Sequence, residues 1–578
     1  MILRLSPCAL ALLAAVSATT LGAPQAVLAQ DIKDSSASGA YLAAAVAASE
    51  SDYKASAEWY RRAMAHDPAN PALLDGAILA NIAIGDMAAA ADAATRLLAT
   101  GAKSQTGFVA LLAVHAKAAD FEAILKDTAA GNSAGSLVDD LVSAWAKVGL
   151  GRMSEATETF DKLAKTKGLE VFGLYHKALA LASAGDFEGA DEILSGRSAG
   201  TISMMRRGII AHVQILSQLE RNTDALSLLD KNFTAGTDLQ VDDLHRRLAA
   251  GEPIDFDIAR NATDGIAEVM FTMATAMNGE ADNAYTLMYT RAASYLRPDH
   301  TEAVLMTAGL LEAQGQHDLA SEVYAQILPA DPAFHVAEIG RAGANYAADR
   351  KEASLEILQA LARSHGQIMA VQIAVGDGMR RAERFADAQK AYDAAIAMVT
   401  TPGREHWVLY YSRGICFERL GDFKKAEADM RQALKLEPDQ PQVLNYLGYT
   451  YVDRGENLDE ALEMIKRAVA AKPDSGLIID SLAWAYYRLG RYTDALSPME
   501  KASLLEPVDP VVTDHLGDVY WSVGRQREAE FQWHRALSFK PAEKDAIRIR
   551  AKLDKGLDAV LVDEGAAPLK PVDAAAND

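Results

Sequence analysis

Gly131-Asn132-Ser133-Ala134-Gly135 has the spacing of the G-x-S-x-G nucleophile elbow. That elbow works only where a strand runs into a helix and brings a histidine and an acid within reach. Here the flanking residues follow helical patterning and no strand precedes them, so the stretch reads as a Gly/Ser-rich loop. The twelve histidines are scattered, and none lies four residues from another. No HExxH, CxxC, P-loop lysine motif or dinucleotide glycine fingerprint occurs. His66, His300 and His335 adjoin helix ends, where imidazole serves well as a structural group. Asp139-Asp140 and Asp242-Asp243 have no preorganised partner and read as solvated faces. No catalytic, cofactor or metal site is expected, and the chain reads as a non-enzyme.

Cys416 is the one remaining candidate nucleophile. Arg413 and Arg419 lie within helical reach, and a reactive thiol needs such an electropositive setting. A small apolar core residue is the simpler reading. The other cysteine, Cys8, falls in an N-terminal stretch with the marks of a secretory leader. Arg4 supplies a short positive region, Leu5 to Leu21 is apolar, and Val27-Leu28-Ala29 offers a cleavage site before Gln30. The run is too short and too polar to be a membrane anchor. Export to the periplasm is therefore expected, with residues 1–29 removed, no intramolecular disulfide and no transmembrane segment.

The formal net charge of -22 excludes a phosphate-tracking role, which needs a basic stripe to displace counterions. Arg61-Arg62, Arg206-Arg207 and Arg380-Arg381 are short pairs within amphipathic stretches. With 578 residues, 50% apolar but only 7% aromatic, the chain suits helices packed closely through small side chains.

What positions these residues is a 34-residue period. From Trp407 to Gln440 it runs Gly414, Phe417, Gly421-Asp422-Phe423, Ala426, Met430, Ala433, Pro438. It repeats as Leu447-Gly448, Tyr451, Gly455, Ala461, Ala468, Pro473, and then as Leu482-Ala483, Tyr486, Gly490-Arg491-Tyr492, Ala495, Ala502, Pro507. A fourth unit gives Leu516-Gly517, Tyr520, Gly524-Arg525, Ala529, Trp533, Ala536, Pro541. Small residues let two helices approach, aromatics fill the space beside them, Gly or Asp makes the turn, and Pro ends the pair.

These residues resemble the tetratricopeptide repeat (TPR) family. Similar units begin near Ala37, Thr301 and Met369, and weaker ones near Pro71, Gln105, Leu137, Val171 and Arg206. The resemblance implies an all-α superhelical solenoid of antiparallel helix pairs, about 12–14 repeats in two arrays. The weak array spans 30–230, an irregular joint follows at 231–265, and the strong array covers 266–543, with its clearest repeats at 301–334, 369–402 and 407–543. A capping helix is expected at 544–560 and a disordered tail at 561–578.

The same resemblance implies a ligand groove lined by the first helix of each pair. In the strong array it would present Tyr411, Glu418, Asn445, Tyr449, Asp453, Asp480, Trp484, Tyr487, Arg488, Asp514, Asp518 and Trp521. Trp and Tyr with carboxylates between them suit an extended or helical protein segment with basic or apolar side chains. The alternative ligand is a cell-wall or exopolysaccharide chain stacked on the aromatics, and packing between helices is the plain reading of Tyr449, Trp484 and Tyr487. The Lys/Asn clamp on a terminal carboxylate is not expected, because Tyr411 and Ile415 stand at its positions. The expected role is a periplasmic scaffold or adaptor, in envelope assembly or polymer export.

Overall fold

The computed structural model describes residues 37–197, 205–234, 236, 238–566 and 569. The expected leader lies outside these residues, as do 567, 568 and 570–578 of the expected tail; of the rest, 561–563 are helical. Among the described residues the regular structure is helical and no strand occurs. The chain divides into two compact units, the first ending at Ile327 and the second beginning at Leu328.

Unit 1 opens with three helix pairs: α1 (Ala37–Ser49) and α2 (Tyr53–His66), α3 (Pro71–Ile84) and α4 (Met87–Ala99), α5 (Gln105–Lys117) and α6 (Phe121–Ala129). Three more follow: α7 (Ser136–Gly149) and α8 (Met153–Ala164), α9 (Glu170–Ser183) and α10 (Phe187–Leu194), α11 (Arg206–Gln218) and α12 (Asn222–Asn232). A single helix α13 (Leu239–Ala249) precedes the hairpin α14 (Ala262–Met277) and α15 (Asn283–Leu296), and α16 (Thr301–Ala313) with α17 (His317–Tyr324) completes the unit.

Unit 2 contains α18 (Phe334–Ala347) and α19 (Lys351–His365), α20 (Met369–Arg381) and α21 (Phe385–Ala397), α22 (Trp407–Arg419) and α23 (Phe423–Leu436). Next come α24 (Pro441–Arg454) and α25 (Leu458–Ala471), α26 (Gly476–Arg488) and α27 (Tyr492–Leu505), α28 (Pro510–Ser522) and α29 (Gln526–Ser538). The helix expected at 544–560 is two helices, α30 (Glu543–Lys555) and α31 (Leu557–Asp563), separated at Gly556.

The turn inside each pair follows from its residues. Gly85 (φ 89°) and Gly421 (φ 81°) take the left-handed conformation that ends the first helix. The next residue, Asp86 or Asp422, then accepts a hydrogen bond from the backbone N–H of Ala89 or Lys425 and caps the second helix. Pro71, Pro441 and Pro510 open first helices at the position where a missing N–H costs nothing. Between paired helices the small residues do what the spacing predicts. A Cβ on Gly517 would stand 2.4 Å from Nε1 of the buried Trp533 ring, whereas one on Gly414 would meet the Met430 methyl at 3.0 Å.

Helices α14 and α15 do not extend the row of pairs. They turn back across the first helices of the earlier pairs, α15 on α3 and α5, α14 on α7 and α9. Gly265 makes the approach possible, since a Cβ there would lie 2.2 Å from the Trp145 ring. Thr263 Oγ1 donates to the Ala116 carbonyl at 2.9 Å, Tyr289 OH to Ala134 O at 3.2 Å, and Lys117 Nζ to Leu296 O at 2.9 Å. Beyond the hairpin, α16 and α17 reach the first pair, where Tyr53 bonds Gln314 and Lys54 pairs with Glu322 at 2.7 Å.

The sequence places the break between arrays at 231–265, whereas the two compact units meet between Ile327 and Leu328. The reason is that the irregular residues after α13 are packed into unit 1. Ile254 and Ile258 are buried. The backbone between them is held by side chains of α11: Ile254 N–H donates to Ser217 Oγ (2.9 Å) and Asp257 N–H to Gln214 Oε1 (3.0 Å), while Gln218 Nε2 donates to Ile254 O (2.8 Å).

Replacing Gly517 with Ala is expected to cost about 1–3 kcal/mol in urea unfolding of unit 2, because the indole it strikes is buried and fixed. Gly414→Ala should cost clearly less, since the Met430 methyl can swing away.

Candidate partner-binding groove

The first helices of unit 2 carry every residue that the repeat register assigns to a groove, and the structure sorts these residues into three sets. Trp484 on α26 is 8% exposed and stacks on Tyr487 (centroids 4.6 Å apart, planes 10°) and on His515 of α28 (3.9 Å, 11°). The buried Asp480 carboxylate takes the Nδ1 of His515 at 3.0 Å. Burial works against a charge on His515, but Asp480, Asp514 and Asp518 outweigh it and raise its pKa above the ordinary value. A ring held between a carboxylate and an indole face is suited to the imidazolium form.

The second set is the pair Asp514 and Asp518 on α28. Lys552 of α30 is fully buried and donates to Asp514 at 2.8 Å and to Asp518 at 2.6 Å. Arg548 approaches Asp518 at 3.3 Å, and Trp533 Nε1 donates to it at 3.0 Å. Burial, then the neighbouring Asp518 charge, raises the pKa of Asp514 even beside Lys552. Trp521 donates its Nε1 proton to Asp558 at 2.8 Å and lies tilted against Trp533. These carboxylates are neutralised by the chain's own C-terminal helices.

The third set remains at the surface. Tyr411 is half-buried, edge-on to Tyr446, whose hydroxyl donates to Glu418 at 3.0 Å. Tyr449 is half-buried; burial, then the charges of Asp480 and Asp453, push its hydroxyl pKa up. Asp453 is exposed, and Arg488 reaches back to donate to the Asp453 carbonyl at 3.2 Å. Asn445 has a buried Oδ1 with no hydrogen-bond partner. That oxygen is enclosed in this structure, so a ligand's N–H would meet it only once the Asn445 side chain turned outward.

His515, Arg548 and Lys552 were not legible as members of this region. The signal for His515 is its register, 35 residues and one helix pair on from Asp480. The two cations belong to the expected capping helix, where their charge reads as surface. Of the two tryptophans open to the sugar-stacking alternative, Trp484 is buried in the stack and Trp521 is half-buried and hydrogen-bonded.

The other candidates resolve locally. Ser133 Oγ donates to Asp139, whose second oxygen takes the Ala134 N–H, so the Gly-rich string is a side-chain-bonded turn. Cys416 is buried, which pushes its thiol up to about 11. Arg413 is engaged by Asp429 and Asp393, each at 2.7 Å. His300 caps α16 through the Ala303 N–H. Among the described residues no group of three or more His, Cys, Asp or Glu is arranged to hold a metal ion, and no helix is long and apolar enough to cross a membrane.

Because the folded-state pKa of His515 is raised, its contribution is complete below the ordinary histidine value of 6.5 and is lost as pH climbs through the folded value. His515→Phe, which keeps a stacked ring without a proton, should flatten the decline of unit 2 stability above pH 6.5 in a series of chemical denaturation curves. A wild-type decline that the variant retains in full would place the titration elsewhere.

Residues 376–441, 411–476 and 447–504 match the tetratricopeptide repeat family model. Over 110 residues the chain is 38% identical to a TPR repeat-containing protein of Pseudomonas aeruginosa, a stretch that is 19% of this chain and 18% of the relative. A BBSome complex member of Bos taurus is 28% identical over 108 residues, 18% of this chain and 20% of its own. The chain thus spans about a fifth of the length of these curated relatives. Among solved structures, the Cut9–Hcn1 hetero-tetramer of the APC/C aligns with 91% of this chain and 97% of its own at 15% identity and a TM-score of 0.38. The repeat signature recurring from 376 to 504 marks that stretch as tetratricopeptide repeats, and helix pairs run through both units.

Proposed function

We propose that this protein is an exported, periplasmic interaction scaffold that holds an extended segment of a partner protein along the first helices of unit 2, without chemistry of its own. TPR arrays serve as protein-binding scaffolds. The observation that carries the reading here is the stretch from Tyr411 to Arg488, where the first helices α22 and α24 carry the half-buried Tyr411 and Tyr449 and an Asn445 whose enclosed Oδ1 has no hydrogen-bond partner. An extended backbone offers an N–H to that oxygen once the amide turns outward, and its side chains can lie on the rings of Tyr411 and Tyr449. Glu418 and Asp453 favour basic residues in the segment, in keeping with the acidic charge of the whole chain.

Unit 1 supplies a precedent for this mode of holding. There Gln214, Ser217 and Gln218, on the first helix of a pair, already bind an extended backbone at 254–257 through N–H and C=O groups. Side-chain amides read a backbone without demanding a particular sequence, which suits a scaffold. Export rests on the leader-like residues 1–29, and envelope assembly or polymer export is the setting in which such a scaffold would serve.

A photo-crosslinking residue placed at Tyr411 or Tyr449 is expected to give one discrete protein adduct in envelope extract. Asn445→Ala combined with Asp453→Ala should lower the yield about tenfold while leaving thermal unfolding in place. Adducts equal to those from a crosslinker at Lys466, on a second helix, would remove the groove from the proposal. N-terminal sequencing of the protein from a periplasmic fraction should begin at Gln30, and a chain still starting at Met1 would overturn export by cleavage.

A further inference from the structure

Unit 1 contains a binding surface that is already full. Its first helices are crossed by α14 and α15 from α3 to α9, and the first helix of the sixth pair, α11, is lined by residues 254–257. Together these segments cover the face on which a TPR array would meet a partner. The two ends of the unit then close over the occupant through the Tyr53–Gln314 and Lys54–Glu322 contacts.

The occupant is fixed by buried polar groups, not by apolar contact alone. Glu268 of α14 is 1% exposed. It accepts from Arg207 Nε of α11 at 2.7 Å and from the Tyr175 hydroxyl of α9 at 2.9 Å, and His300 Nε2 lies 3.4 Å away. Burial opposes its ionisation, but Arg207 and His300 hold its carboxyl well below the usual range. Arg207 also reaches Glu302 of α16 at 3.0 Å, so one guanidinium ties the occupant to both sides of its seat. At the far end Arg291 of α15, 7% exposed, donates from Nε to the Ala83 carbonyl at 2.9 Å, at the C-terminus of α3. A cation there meets the negative end of the helix dipole. Charges buried this deeply are stable only while their partners stay in place.

We infer that residues 254–296 are a permanent internal occupant that closes the concave face of unit 1, so that this unit takes no partner segment by that face. This goes beyond the proposed function, which concerns unit 2, and either can fail alone. A displaceable lid would share the geometry but open by itself, with a free energy below that of the unit. A permanent occupant opens only when the unit unfolds.

Hydrogen exchange followed by mass spectrometry on the full-length protein separates the two. Amides of α14 and α15 should show protection factors within about tenfold of those in α5 and α7. Glu268→Gln should lower the protection of α5, α7 and α14 together. If α14 and α15 exchange at least about a hundredfold faster than α5 and α7, or if Glu268→Gln frees only the hairpin, the occupant is a lid and the inference is overturned. A Glu268→Gln protein too unstable to purify would leave the wild-type comparison as the deciding measurement, and Tyr175→Phe, which removes one hydrogen bond and no charge, would replace it as the variant.

Discussion

A row of helix pairs has a weakness that all its members share: each pair has an apolar flank that only its neighbours can cover, and the inner face of the row stays open to water. In unit 1 that open face is removed. The hairpin α14–α15 fills it, and a large apolar cluster reaches from Ala40 in the first pair to Ala303 in α16, with a smaller one beside it around α9 and α10, from Leu174 to Ile215. The contact that permits this is small, the passage of Gly265 beneath Trp145. The ionic ties around Glu268 then set the depth and register of the hairpin. Everything else in the unit, including the closure of its ends, follows from having something to wrap around.

Unit 2 is built from the same pairs on the opposite plan. Its apolar interior falls into separate clusters, one from Ala342 to Cys416 and another from Met430 to Leu561. With no internal occupant among the described residues, the first helices keep polar and aromatic residues on their inner side. Toward the C-terminus these are drawn into the chain's own structure by the His515–Trp484–Tyr487 stack and by Lys552 between two aspartates. Farther back they are not, and Asn445 stands with an unmet acceptor. The gradient from a self-satisfied end to an unsatisfied middle is the physical ground for assigning a holding role to one stretch of the array.

How much of this was legible follows from the same contrast. In unit 2 the described pairs pack on their neighbours in the row, so Gly414, Phe417 and the Gly421-Asp422 turn keep their spacing and announce the fold. In unit 1 the first helices under the hairpin, from α3 to α9, are covered on both faces. Helix α5 accordingly reads Gly-Phe-Val-Ala-Leu-Leu-Ala over 107–113, all buried, and the amphipathic period that marks a repeat is erased. The hairpin itself looks like one more degenerate pair, because nothing local distinguishes a pair that continues the row from one that folds back. The register puts the candidate groove residues on first helices, where the structure has them. Which of them are engaged depends on partners about one repeat or more away, such as Lys552 for Asp514, and no local pattern carries that.

The wrapping of unit 1 around a core of fixed girth has a consequence for how such a gene can change. Duplication or loss of a 34-residue repeat is a common event in repeat proteins, and in an open row it merely lengthens or shortens the array. In unit 2 an added pair would find the same flank as its predecessor. In unit 1 it would force the first pair away from α16 and α17 and uncover the hairpin, so copy number there is set by circumference. Gains and losses of repeats should therefore collect in the second half of the chain, the half that carries the candidate binding surface.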